Sequence, residues 1–327
     1  VAGNPGGGAA IPAEAMAVDT SHPTRVIGTG AAASCTSAAV VAAVAAGGII
    51  TFNCGPAPAT ITLTETAKVR NASPQIVLDG GGRVTLSGGG QRRILYMDTC
   101  DQAQGWTTSH CQDQDTPQLT LQNLTFVDGN SSGQLQEGGG GGAVLVRGGR
   151  VKVVNSTFLR NRCDASGPDL GGAALRVLSQ SGGRPVYVVN STFGGAAGQG
   201  GSCANGAALS SIGVSWVILN SLFSNNQATG HGANPAQSGT PGGGSGGAIY
   251  LDGNLYTVTI SGSVLRDNHA NAGGGAIFFV SNDRTGTLAL QRTQLSHNVN
   301  DGFQTSGLPG IFFLGAHPPT VTNTTIT

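Results

Sequence analysis

The sequence predicts an all-β chain: a right-handed parallel β-helix of roughly nine or ten coils, closed at its N-terminal end by a short helix. Three observations predict it. Two short signals recur in alternation along the chain. Apolar residues alternate within the copies. And 55 of the 327 residues are glycine, far above the usual share of about 7%. No Gly-X-Y period runs through these glycines, so collagen is excluded.

The first signal is Gly-Gly-Ala followed by apolar residues. It stands at Gly141 to Val144, Gly171 to Ala174, Gly246 to Ile249 and Gly274 to Ile277, with weaker copies at Asn205 to Ala208 and Leu308 to Ile311. The second is Asn-Ser-Thr-Phe or a relative, at Asn123 to Phe126, Asn155 to Phe158, Asn190 to Phe193 and Asn220 to Phe223. It often carries Asn three residues past the aromatic, as at Asn161 and Asn226. Leu265 with Asn268 and Leu295 with Asn298 are degenerate copies, and Asn323 to Ile326 closes the series. From Phe126 to Ile326 the steps average about 33 residues and range from about 30 to 42. Variable spacing around a fixed pattern means coils of constant cross-section joined by loops of changing length.

Alternation supplies the strands. Leu119/Leu121, Val151/Val153, Val186/Val188, Trp216/Ile218, Val258/Ile260 and Leu288/Leu290 must face inward, while Thr120, Lys152, Tyr187, Ser215, Val217 and Thr259 face a more solvated side. The Phe positions fall out of phase with that alternation. A bend at the preceding Asn resets the phase, and Asn tolerates the left-handed backbone of a tight bend. In the Gly-Gly-Ala strand the inward column is read two residues past the Ala, at Leu145, Leu175, Leu209, Tyr250, Phe278 and Phe312. Each coil thus holds three short strands. Ile49 to Phe52, Thr60 to Thr64, Gln75 to Asp79, Val84 to Ser87 and Ile94 to Met97 fit as earlier coils.

A solenoid end exposes core and unpaired strand edge and needs a cap. Residues 31–47 supply it: Cys35 to Ala46 reads as a helix rich in small apolar residues, with Ser34 or Thr36 as N-cap and Gly47 as stop. Residues 1–30 read as an irregular N-terminal arm and 31–327 as one β-helix domain. Val1 stands where an initiator Met is usual, and Thr320 to Thr327 read as a strand. A processed chain that is part of a longer protein or assembly is therefore expected.

The six cysteines, Cys35, Cys54, Cys100, Cys111, Cys163 and Cys203, allow 15 pairings. Sequential pairing closes the shortest loops and is the expected one. Oxidised cysteines imply an extracellular or cell-surface location.

The paired Gly-Gly-Ala-Ile and Phe-x-x-Asn signals resemble the repeats of chlamydial polymorphic outer membrane proteins. The resemblance covers about residues 118–327, and the whole chain resembles the broader pectin-lyase-like class of right-handed β-helices. The resemblance implies a fold shared by adhesins and many secreted proteins. The motif residues are structural, so it carries no catalytic position onto this chain.

Composition narrows the function. Sixteen cationic residues balance 16 acidic ones, which argues against nucleic acid as a partner, because phosphate binding needs a basic surplus. No apolar run approaches the roughly 20 residues that span a bilayer. No zinc spacing is present, and no acidic pocket is dense enough for Ca2+, Asp113 and Asp115 being the nearest to one. No cofactor is expected.

The loops at about 129–140, 162–170, 194–204, 227–245, 269–273 and 299–308 all leave one corner, and loops on a rigid scaffold are the usual place for function. Two residues past each Phe position stand Asp128, Arg160, Gly195, Asn225, Asp267 and His297. Asp267, His297 and nearby His269 are the catalytic candidates, a carboxylate and histidines suited to acid–base work. Arg92, Arg93 and Asp98, with Asp128 and Arg160, are the ligand-binding candidates. The sequons at Asn123, Asn130, Asn155, Asn190 and Asn323 are glycosylation sites only in a eukaryotic source. Asn130, in a variable loop, is expected to be the most accessible, and several of the others are turn residues expected to form an inward ladder. The leading expectation is a non-catalytic binding, adhesin-like or structural surface component whose partner is a polysaccharide or another surface protein. The alternatives are a polysaccharide lyase or glycoside hydrolase with a groove along one face, and an ordered-surface, ice-like binder. The last is weakened where Leu222, Val264 and Gln294 interrupt the Thr125, Thr157, Thr192 column.

Overall fold

Every strand pairing that forms the rod is parallel, and the pairings follow the coil order of the sequence. The structure, a computed structural model, describes residues 1–135 and 138–327; residues 136 and 137, inside the first variable loop, lie outside the described residues. On the first face, nine successive parallel pairings join ten strands from Arg25–Ile27 to Thr320–Thr322. The second face runs from Ala59–Thr62 to Thr325–Ile326. The third is an eight-stranded sheet from Ala67–Lys68 to Ile311–Leu314. The chain is therefore a parallel β-helix. A fourth, narrow strip adds to the three strands expected per coil: Ser202–Cys203, Gln227–Ala228, His269–Ala270 and Val299–Asn300 pair in the later coils.

Alternation fills the core as read: Leu119, Leu121, Val151, Val153, Val186, Val188, Trp216, Ile218, Val258, Ile260, Leu288 and Leu290 are all buried in one apolar cluster. The Phe positions stack in register. Phe126, Phe158, Phe193 and Phe223 lie with centroids 4.9, 4.9 and 4.7 Å apart and planes within 9° of parallel. Leu265, Leu295 and Ile326 continue the column.

The bend before each Phe takes left-handed backbone at Asn123, Asn155, Asn190, Asn220, Arg292 and Asn323, with φ between 48° and 54°. These Asn side chains do not form the inward ladder. From Asn155 onward, the residue after the bend does. The N–H groups of Ser156, Ser191, Ser221, Ser263 and Thr293 donate to the hydroxyls of Ser191, Ser221, Ser263, Thr293 and Thr324 in the next coil. The Ser191 hydroxyl donates to Val189 O and the Ser221 hydroxyl to Leu219 O. Small hydroxyls thus satisfy polar backbone inside the rod, where an unpaired group costs about 1–3 kcal/mol.

The third face corrects the sequence reading. Val144, Leu175, Leu209, Ile249, Ile277 and Ile311 share one register column and face the core. Leu145, Arg176, Ser210, Tyr250, Phe278 and Phe312 form the neighbouring column, which faces outward beneath the loops. The proposed inward column therefore mixed the two. Register aligns Gly141 with Gly172 rather than Gly171, because what the chain requires is one left-handed glycine, then a small residue, then Ala. Gly141, Gly172, Gly206, Gly246 and Gly274 have φ between 47° and 75°. The next position is Gly142, Ala173, Ala207, Gly247 or Gly275, so doubled glycine is optional.

At the N-terminal end the helix Ser37–Ala46 is capped by Thr36, whose hydroxyl accepts from the Ala39 N–H, and is stopped at Gly47, φ 76°. Val40, Ala43 and Val44 pack on the first coils, and Cys35–Cys54 ties the helix to the strand that follows. The other disulfides are Cys100–Cys111 and Cys163–Cys203, so all three sequential pairs form. They fit an oxidising, non-cytoplasmic location.

Residues 3–20 run along the outer side of the first face from the later coils to the earlier ones. The Asn220 side-chain amide accepts from Ala9 N–H and donates to Ala9 O (2.9 and 3.0 Å). The Gln122 amide holds Val18 in the same two-point way (2.8 and 2.9 Å). Ala9, Ile11 and Ala15 cover Val154, Tyr187, Val189 and Leu219. Thr120 and Tyr187, read as solvated, are therefore buried. Residues Arg25–Ile27 of the segment read as irregular form the first strand of the rod.

Candidate functional site

The corner after the second face is built by a second buried ladder. Asn161, Asn226, Asn268 and Asn298 each donate to a main-chain carbonyl of the preceding coil, at Phe126, Phe193, Phe223 and Leu265. Asn226 and Asn268 also donate to the carboxamide oxygens of Asn268 and Asn298 (3.0 and 2.9 Å). To bring that Asn inside, the residue before it turns through left-handed backbone. Asp128, Arg160, Gly195, Asn225, Asp267 and His297 all have positive φ, 51° to 98°. Five polar side chains therefore point outward from one corner, at a coil spacing of about 4.8 Å with a gap at Gly195.

Neighbours in this column pair with one another. Arg160 meets Asp128 through two hydrogen bonds (3.1 and 3.3 Å) and donates to Gln199 (2.6 Å). His297 lies 3.8 Å from Asp267. His269 stands on the adjoining strip and pairs with Asp301 at 3.1 Å through Nε2, while its buried Nδ1 has no partner among the described residues. Asp267 and His269 line one cleft of about 310 Å³ with Ser202, Asn225, Gln227 and Gly201. The three catalytic candidates thus gather in one region, with His269 turned to Asp301.

The other candidates divide. Arg92 is half-buried, donates to Thr64 O, and borders a cleft of about 540 Å³ with Glu65, Lys68 and Arg70. Arg93 is not available to a ligand: fully buried, its guanidinium donates to Gly140 O and Gly141 O (2.7 and 3.0 Å). Buried Arg176 likewise donates to Gly139 O. These two arginines fix the glycine run, where three successive residues from Gly139 have φ of 61° to 67°. Asp98 is buried too, accepting from Cys100 N–H and paired with Arg147 at 3.2 Å. Asn130 is tied down by donating to Gly90 O, whereas Asn155 and Asn323 are exposed. Asn123 and Asn190 are half-buried. Thr192 accepts from Gly3 N–H, so the arm covers part of the threonine column.

Sequence reasoning missed Gln199 and Asp301, and also Gln227, whose short strand was read as the start of a variable loop. It also missed a charged pocket beneath the arm, because Lys152 and Tyr187 were assigned to open solvent.

No protein-family model, no curated protein and no solved structure matches the chain. Among the described residues no helix is long and apolar enough to cross a membrane.

Proposed function

We propose that this is an extracellular or cell-surface β-helix that binds its ligand without transforming it, an adhesin-like component that holds an extended polysaccharide. The observation that supports it is the outward corner column. Asp128 pairs with Arg160, and His297 lies 3.8 Å from Asp267. Hydroxyl and amide groups of Ser202, Asn225 and Gln227 stand between them. A sugar chain lying along the rod would meet hydrogen-bonding groups at most coils, on a scaffold that needs no ordering on binding. The repeat resemblance to chlamydial surface proteins and the disulfides support the location.

Affinity electrophoresis against immobilised neutral and acidic polysaccharides tests this. Retardation that weakens about tenfold, roughly 1.4 kcal/mol, in Asn225→Ala/Gln227→Ala is expected. No retardation by any polysaccharide would sink the reading.

A second reading rests on Asp267 and His269 in one cleft, with Asp301 paired to His269, a histidine and carboxylates suited to general acid–base work in a lyase or glycoside hydrolase. Its mark is product released from uronates or neutral glucans and lost in His269→Gln.

A further inference from the structure

The pocket between the arm and the first face differs in chemistry from the corner cleft. It encloses about 400 Å³. Arg150 and Lys152 stand two residues apart on the strand Arg150–Val154, and so on one side of the sheet. Register sets Gln118 beside Arg150 and Tyr187 beside Lys152. Arg184 lies just before the next strand, Val186–Val189, and the arm contributes Glu14 from above.

Three cations meet two carboxylates here, and both carboxylates are occupied. Glu14 accepts from the Tyr187 hydroxyl at 2.9 Å. Asp115 accepts from Gln118 at 3.0 Å and pairs with Arg150 at 3.6 Å. Lys152 Nζ donates to the carbonyls of Glu14 and Met16 (3.2 and 2.6 Å), neutral dipoles rather than carboxylates. Arg184 is exposed with no side-chain partner among the described residues. The Nε of Arg150 is buried and has none either. Burial lowers the pKa of Lys152, and nearby Arg150 adds to the shift, against the pull of Glu14. The pocket is thus electropositive and holds unused N–H donors.

We propose that this pocket binds an oxyanion, a sulfate or carboxylate group, carried by a saccharide. The guanidinium forks of Arg150 and Arg184 match the oxygen spacing of such groups, and Lys152 adds a point charge at the pocket wall. The saccharide carrier rests on the glycan-binding reading above, whereas the anion site stands on its own groups.

The experiment titrates the whole chain at low salt with inorganic sulfate, a sulfated oligosaccharide, a uronate oligosaccharide and a neutral one of equal length. It compares the unmodified protein, Arg184→Ala and Asp267→Ala. Arg184 is exposed, so its replacement leaves the fold intact. The expected result is that at least one anionic oligosaccharide binds about tenfold tighter than the neutral one. That binding weakens about tenfold in Arg184→Ala, persists in Asp267→Ala and fades as salt rises. Whether sulfated or uronate sugar is preferred identifies the group. Anionic binding that Arg184→Ala leaves unchanged, or that is no tighter than neutral binding, overturns the proposal. Sulfate binding lost in Arg184→Ala without binding of any oligosaccharide overturns the saccharide carrier and the function proposed above, while the anion pocket stands.

Discussion

The two corners that flank the second face use the same device to opposite ends. At the first, Asn155, Asn190 and Asn220 turn through left-handed backbone, and the next residue sends a hydroxyl inward. At the second, Asp128, Arg160, Asn225, Asp267 and His297 turn in the same way, and in four of the five coils the next residue is an Asn that sends its carboxamide inward. The first corner passes directly into the following strand, so its outward residue stays Asn in most coils. The second corner launches loops of changing length, and its outward residue varies in charge and size while the buried Asn beneath recurs. The difference teaches that the interior ladder fixes the bend, which leaves the side chain above it free to serve recognition.

Three perturbations break or sharpen that contrast. The largest effect is expected from the apolar column both corners enclose: Phe193→Ala, in the middle of the ring stack, should cost about 3–5 kcal/mol in urea unfolding. Next, Ser191→Ala removes the acceptor of the buried Ser156 N–H and should cost about 1–3 kcal/mol. Arg160→Asn, on the outside of the second corner, keeps a residue suited to left-handed backbone and should change stability by no more than about 1 kcal/mol. Equal losses for Ser191→Ala and Arg160→Asn would refute the division between ladder and outward residue.

The smallest effect is local to the arm. Burial works against the Asp79 carboxylate, yet hydrogen bonds from Thr20, Asn123, Gln122 and the Gly81 N–H hold its pKa below the ordinary value of 3.8. A depressed carboxyl pKa stabilises the docked arm above the unfolded-state pKa, and that contribution fades as pH falls through the folded value. Protection factors for hydrogen exchange of residues 18–20 should therefore be high at neutral pH and fall below about pH 4, with Asp79→Asn flattening the profile.

The core columns of the first two faces were legible because each outward-inward alternation repeats, and a repeated pattern averages over local exceptions. The disulfides were legible because short loops favour sequential closure. The third face was misread at Leu145, Tyr250, Phe278 and Phe312, which face outward; Leu175 and Leu209 were read inward correctly only because there the matched string stands one residue early. The string matched while the register did not. Arg93 and Asp98 were taken for surface groups because composition cannot tell a charged side chain that braces a loop carbonyl from one that meets solvent. The cleft was legible in part, at Asp267 and His269, because those positions sit close to a fixed offset from the repeat.

The sequence alone determined the parallel coil, its turn residues and its stacked core, since these depend on the period and on backbone conformations that only certain residues tolerate. Tertiary structure decided what lies over the coil. The arm is held by side-chain amides of Gln122 and Asn220, and the loops are held by buried Arg93 and Arg176. These contacts join residues far apart in the chain and carry no period, so nothing in the repeat encodes them.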